Sequence, residues 1–170
     1  MVHLYSLFRV PDAPVGAVFN RVGYGRGMRI LFVDDDPEHV DVVQRTVAEA
    51  LNADVQVVTT VEAAVSALHS QTFDLVVTDI FIPLGAKPRD AMGPRSRRYE
   101  DTVQHLGGLV LLDELDRVTP TPKVLAHTAC TDAALIEILG SCVIARVPKP
   151  APVDVLLRAV IEALDLPAPQ

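Results

Sequence analysis

Residues 73–83 read FDLVVTDIFIP. An apolar run climbs to a single carboxylate, Asp79, and meets Pro83 four residues later. Leu75, Val76 and Val77 have no polar alternation, the pattern of a short strand buried on both faces. An acid at the end of such a strand, where the chain turns, sits where a rigid element can hold out a functional group.

The rest of the chain supplies the setting. From Met28 onward strands and helices alternate. RILFV (29–33) reads as a first strand, and DDDP follows it, with Asp36 placed to cap a helix and Pro37 in its first turn. Val40, Val43, Val47 and Leu51 recur at helical spacing. VQVVT (55–59) reads as the second strand, and Thr59 with Glu62 fits a capping box for a helix that turns Val61, Val65 and Leu68 inward. After FDLVVTD, a third helix is marked by Leu111, Leu112, Leu115 and Val118. KVLAHT (123–128) is a fourth strand, Leu135, Ile136 and Leu139 mark a fourth helix, and CVIARV (142–147) is a fifth strand. Val153, Leu156, Leu157, Val160 and Leu164 mark a fifth helix. Five such units imply an α/β fold: a doubly wound, five-stranded parallel sheet with helices on both faces.

Composition sets outer limits. The chain has 170 residues, 49% of them hydrophobic, enough for one domain with appendages. No apolar run approaches the length of a membrane span, and no signal-peptide pattern opens the chain. A cytoplasmic protein without membrane contact is expected. Its two cysteines, Cys130 and Cys142, lack metal-type spacing and read as reduced thiols. The five histidines show no ligand spacing either. The net charge of −7 argues against direct nucleic-acid binding. That charge is uneven: Arg9, Arg21 and Arg26 outweigh Asp12 in residues 1–27, and Lys87, Arg89, Arg95, Arg97 and Arg98 outweigh Asp90, Glu100 and Asp101 in residues 84–101. The body between these basic appendages is strongly acidic.

In doubly wound sheets ligands lie at the carboxyl ends of the strands, near the point where strand order reverses. Strand one ends at Asp34-Asp35-Asp36, strand three at Asp79, strand four at Thr128 and strand five at Lys149-Pro150. Carboxylates gathered there need a cation, and a hard divalent ion with oxygen ligands, Mg2+, is the natural one. A hydroxyl and an ammonium beside them suit a tetrahedral anion. Together these groups describe in-line phosphoryl transfer to an aspartate.

ILFVDDDP, LVVTDIFIP, LAHTA and VPKP occur in order, each at its structural place, and on these motifs residues 28–166 resemble a receiver domain of two-component response regulators. The resemblance implies the flavodoxin-like strand order 2-1-3-4-5 with five helices. It makes Asp79 the phosphoacceptor, fed by a sensor histidine kinase or a histidine phosphotransfer protein. It makes Asp35 a direct Mg2+ ligand and Asp34 a partly water-mediated one, with Asp79 and the main-chain carbonyl of Phe81 completing the set. Thr128 would bond the phosphoryl oxygens, and Lys149, before a cis bond to Pro150, would pair with Asp79 or its phosphoryl group. Such a protein is not an enzyme on a separate substrate. It catalyses its own phosphorylation and dephosphorylation and signals to a downstream protein, and a homodimer is compatible with the pattern. With LPAPQ closing the chain after the fifth helix, a stand-alone receiver is expected.

Two features depart from that family. The turn after strand three normally reaches its Gly within a few residues, whereas here Gly107-Gly108 is the landing point and residues 84–106 are largely inserted. The insert reads either as a solvated loop or as a basic docking surface or lid. Arg146 stands where many receivers carry Tyr or Phe, and it cannot bury its charge as cheaply as a ring is buried. A non-switching adaptor of the same fold, binding through the insert, is therefore the alternative. An enzyme of the haloacid-dehalogenase type is disfavoured, because Asp34-x-Asp36 lacks the residues expected after it. Residues 1–27 form an N-terminal extension of no recognisable pattern, and 167–170 a short tail.

Overall fold

The computed structural model describes residues 27–85, 93–99 and 105–167. Expectations for the N-terminal extension, the tail and the remainder of the insert lie outside the described residues. Five strands, β1 (Arg29–Val33), β2 (Asp54–Val58), β3 (Leu75–Thr78), β4 (Lys123–Thr128) and β5 (Ala145–Pro148), form one sheet in the order β2-β1-β3-β4-β5. Every pairing is parallel. The helices between them are α1 (Pro37–Leu51), α2 (Val61–Ser70), α3 (Gly107–Leu115), α4 (Ala133–Gly140) and α5 (Val153–Ala163). Among the described residues no helix is long and apolar enough to cross a membrane.

Because successive strand residues face opposite ways, the sheet divides two cores. Leu31, Val33, Val76, Val124 and Ala126 face α2, α3 and α4. Ile30, Phe32, Val77, Leu125 and Val147 face α1 and α5. Both sheet faces are covered, which explains why the strands read as unbroken apolar runs.

Element ends shift slightly from expectation, for local reasons. β2 stops at Val58, so α2 begins at Val61 and its cap is Thr60, whose hydroxyl accepts the Ala63 N–H at 3.1 Å, rather than Thr59. Cys142 and Val143 do not open β5, because both donate their N–H groups to the Leu139 carbonyl as the last turn of α4 closes. Val118 lies beyond α3, in the turn that follows it.

The two ends of the insert are tied down. Pro83 and Leu84 carbonyls accept the Val61 and Glu62 N–H groups at the start of α2. Residues 96–99 form a 3-10 turn beside α3, with Ser96 wholly buried and Tyr99 packed on the core. This part of the insert is packed on α3 rather than being a solvated loop. Arg95 is bonded to Asp113 and Asp116, which leaves Arg97 and Arg98 as the exposed cations of the described segment.

α3 has no side-chain cap. Its Gly107 and Gly108 N–H groups donate instead to the Ile82 and Ile80 carbonyls, at 3.1 and 3.0 Å. So close an approach needs glycine. A Cβ on Gly108 would lie 2.5 Å from the Asp79 carbonyl oxygen, and one on Gly107 would lie 2.3 Å from that of Ile82. Gly108→Ala must displace backbone rather than a flexible side chain, so we expect a loss of about 1–3 kcal/mol in urea unfolding.

Candidate functional site

Sheet order reverses between β1 and β3, since the chain leaves β1 for β2 on one side and returns to β3 on the other. Val33 and Thr78 are paired across this boundary. The next residue on each strand is an aspartate, so Asp34 and Asp79 emerge side by side, and the Asp79 N–H donates to the Val33 carbonyl at 3.0 Å. Both residues are buried. Asp35 follows in the exposed turn, and carboxylate oxygens of Asp34, Asp35 and Asp79 lie within 4.8 Å of one another.

Lys149 closes the pocket from β5. Its N–H donates to the Thr128 carbonyl at 3.0 Å, its peptide bond to Pro150 is cis, and its Nζ reaches Asp34 Oδ2 at 2.6 Å and Asp79 Oδ2 at 2.7 Å. The other Asp79 oxygen, Oδ1, accepts the N–H groups of Ile80 and Phe81 at 2.6 and 3.2 Å. Thr128 is fully buried, and its Oγ1 accepts the Cys130 N–H at 3.2 Å, which leaves its own hydroxyl hydrogen to donate.

These contacts set the charge state. Burial pushes the Asp79 pKa up, but the Lys149 ammonium, the Thr128 hydroxyl and the Phe81 N–H together outweigh it and hold the carboxyl below its ordinary value. For Lys149 burial works downward, and Asp34 and Asp79 hold the ammonium above its ordinary value. Asp79 is thus an ionised, oriented carboxylate. Three carboxylates face one ammonium, an excess of about two negative charges when all are ionised. A divalent cation fits that excess, and the donor set, carboxylate oxygens with Asp35 open to solvent, suits a hard ion.

The structure brings Asp34, Asp35, Asp79, Thr128 and Lys149 to one edge as the sequence suggested, with Phe81 two residues past Asp79 and half-exposed. Asp36 is not one of the clustered carboxylates: its N–H donates to Asp34 Oδ1 at 3.1 Å, and its carbonyl accepts the Val40 N–H as α1 begins, the backbone bond of a helix cap. Sequence reasoning paired Lys149 with Asp79 alone and missed its bond to Asp34. Arg146 lies exposed, in keeping with a charge that is costly to bury, but its Nη1 bond to the Cys130 carbonyl at 3.1 Å was also missed. No sequence signal marks either contact, because each joins residues distant along the chain.

The shared lysine gives a pH test. The stability that Asp79 contributes is present above about pH 4 and is lost as pH falls through its depressed folded value; that of Lys149 is present below about pH 10 and is lost as pH rises through its raised value. Lys149→Met leaves two adjacent buried carboxylates without their cation. It should cost about 3 kcal/mol at neutral pH and raise the Asp79 pKa above the unfolded value, so stability should fall rather than rise from about pH 4 upward. Urea titrations over that range, with NMR of the Asp79 carboxyl, read both effects.

No protein-family model and no curated protein matches the sequence. Solved structures do. A CheY-like response regulator receiver domain protein from Methanospirillum hungatei JF-1 superposes with a TM-score of 0.62 at 21% identity, over 82% of this chain and 95% of its own. The non-phosphorylated HemR receiver domain of Leptospira biflexa gives 0.64 at 20% identity, over 84% and 98%. The receiver domain of a sensor histidine kinase from Pseudomonas aeruginosa PAO1, with a magnesium ion coordinated in its active-site cleft, gives 0.60 at 20% identity, over 82% and 99%. At these identities the likeness is one of fold, and it narrows what strand order alone leaves general among doubly wound proteins: this chain has the fold of the response-regulator receiver domains.

Proposed function

We propose that the chain is a response-regulator receiver that takes a phosphoryl group onto Asp79 from a phosphohistidine on a sensor kinase or a histidine phosphotransfer protein. The observation that carries this reading is the state of Asp79: a carboxylate held ionised by Lys149 at the switch point of the sheet, beside two further carboxylates. An Asp79 oxygen forms the new O–P bond while the P–N bond to the donor imidazole breaks, and the imidazole nitrogen keeps the electron pair. Lys149 passes from Asp79 to the phosphoryl oxygens, and the Thr128 hydroxyl hydrogen turns to the same group. Asp35, Asp79, the Phe81 carbonyl and, partly through water, Asp34 would hold Mg2+. When bound, that ion neutralises charge on the transferring group. Hydrolysis of the acyl phosphate by water resets the protein, so no separate substrate is turned over. Output passes through protein contacts.

A second reading, the non-switching adaptor, draws on one observation. Arg146, standing where many receivers have a mobile ring, is engaged with the Cys130 carbonyl in the loop that follows Thr128. Labelling with acetyl phosphate separates the two readings. The wild type should take one phosphoryl group in a Mg2+-dependent manner and Asp79→Asn none, as read by mass spectrometry. Asp35→Ala should raise the Mg2+ requirement by about tenfold or more, and Asp36→Ala should leave it nearly unchanged. Absence of label in the wild type would favour the adaptor.

The exposed pair on the 3-10 turn gives a further test. If Arg97 and Arg98 steer an acidic donor protein, replacing both with Ala should slow transfer from the cognate kinase several-fold at low salt. Labelling by acetyl phosphate, which needs no docking, should be unaffected. Arg95 is left intact in this experiment because it is bonded to α3.

A further inference from the structure

Outside the pocket, Asp113 is the most completely enclosed charge among the described residues, with a side chain 0% exposed. It sits on α3, yet its partners come from the insert. Oδ2 accepts the N–H groups of Gly93 at 3.1 Å and Ser96 at 3.0 Å and the Ser96 hydroxyl at 2.7 Å. Oδ1 accepts the Arg95 N–H and Arg95 Nη1, both at 3.2 Å. The insert is folded to fit. Ser96 Oγ also bonds to the Gly93 backbone, and Arg97 donates its N–H to the Gly93 carbonyl. A Cβ on Gly93 would fall 2.5 Å from Asp113 Cγ, so only glycine passes at that point. Burial pushes the Asp113 pKa up, but the Ser96 and Arg95 contacts outweigh it and keep the carboxyl ionised.

The effect on α3 is unusual for a surface helix. Residues 107–113 are all buried, which requires cover on more than one side. The sheet lies on one side of α3, and residues 93–99 help to close another. Five residues before Asp113, about 7.5 Å along the axis, Gly108 touches the Asp79 carbonyl and donates to Ile80. One short rod is thus clamped by the insert towards one end and bears on the acceptor segment at the other.

We propose that Asp113 is a positioning residue for the acceptor: by locking residues 93–96 over α3 it holds the Gly107–Gly108 end of that helix against Ile80 and Ile82, and so fixes the peptide whose Ile80 and Phe81 N–H groups orient Asp79. This goes beyond the phosphoacceptor reading and rests on it for its purpose. The physical coupling itself can be measured without phosphorylation.

The experiment is amide hydrogen exchange on the full chain, comparing wild type with Asp113→Asn and, from the insert side, Gly93→Ala. Both variants should speed exchange at the amides of Arg95 and Ser96, and also at Ile80 and Phe81 by about tenfold, while Val76 and Leu125 in the sheet stay as in the wild type. Labelling by acetyl phosphate should slow several-fold with the Mg2+ requirement unchanged, a split that simple loss of folded protein would not give. Faster exchange confined to the insert would overturn the proposal, leaving Asp113 as an anchor for a cover only. A uniform rise that includes Val76 and Leu125 would also overturn it, since Asp113 would then serve stability alone. If the wild type takes no label, the phosphoacceptor reading fails, while exchange at Ile80 and Phe81 still decides whether the lock reaches the acceptor segment.

Discussion

One ammonium shared by two carboxylates organises this molecule. Lys149 Nζ lies within 2.7 Å of oxygens on both Asp34 and Asp79, two buried acids at neighbouring strand ends, and its ammonium helps to hold the Asp79 carboxyl below its ordinary value. The contact joins the ends of β1, β3 and β5, so it requires the whole sheet in register. Removing a parallel strand, or slipping one by a residue, would leave unpaired charge in the interior. The pairing is nonetheless incomplete. The remaining negative charge around Asp35 leaves the pocket attractive to a cation.

Much of this was legible in the chain. Strand ends carry their acids, hydroxyl and lysine in a fixed order, and the apolar runs before them are long enough to read as doubly covered strands. KVLAHT and RILFV fall on β4 and β1 with the bounds expected. Where reading failed, a local competitor won. Thr59 and Thr60 are adjacent hydroxyls and either can cap, so the end of β2 decides between them. CVIARV looks like one strand, but its first two residues satisfy the closing turn of α4.

The packing of the insert on α3 went unread, and its signal was present. GGLVLLDEL places four apolar residues in succession on a helix, which no helix with one open face tolerates well. A single acid, Asp113, then interrupts that run on a side that is also buried. Together these say that α3 is covered twice and that the second cover brings hydrogen-bond donors. Basic residues read as a charge pattern hid this. Arg95 looks like its neighbours Arg97 and Arg98 in sequence, but it alone of the three is bound to Asp113 and Asp116. Composition cannot tell a cation that meets solvent from one that meets a buried carboxylate.

The sheet also keeps two neighbourhoods apart. α1 and α5 pack on one face, and α2, α3, α4 and the locked insert pack on the other, with the strands as the partition between them. Side chains on opposite faces share few neighbours, so changes there should combine additively. Substitutions on the outer surfaces of α1 and α5 should therefore leave the packing of the opposite face undisturbed. On the opposite face Gly93, Gly107 and Gly108 each meet backbone or a buried carboxylate, so a change at one of them bears on its neighbours and effects there should couple rather than add.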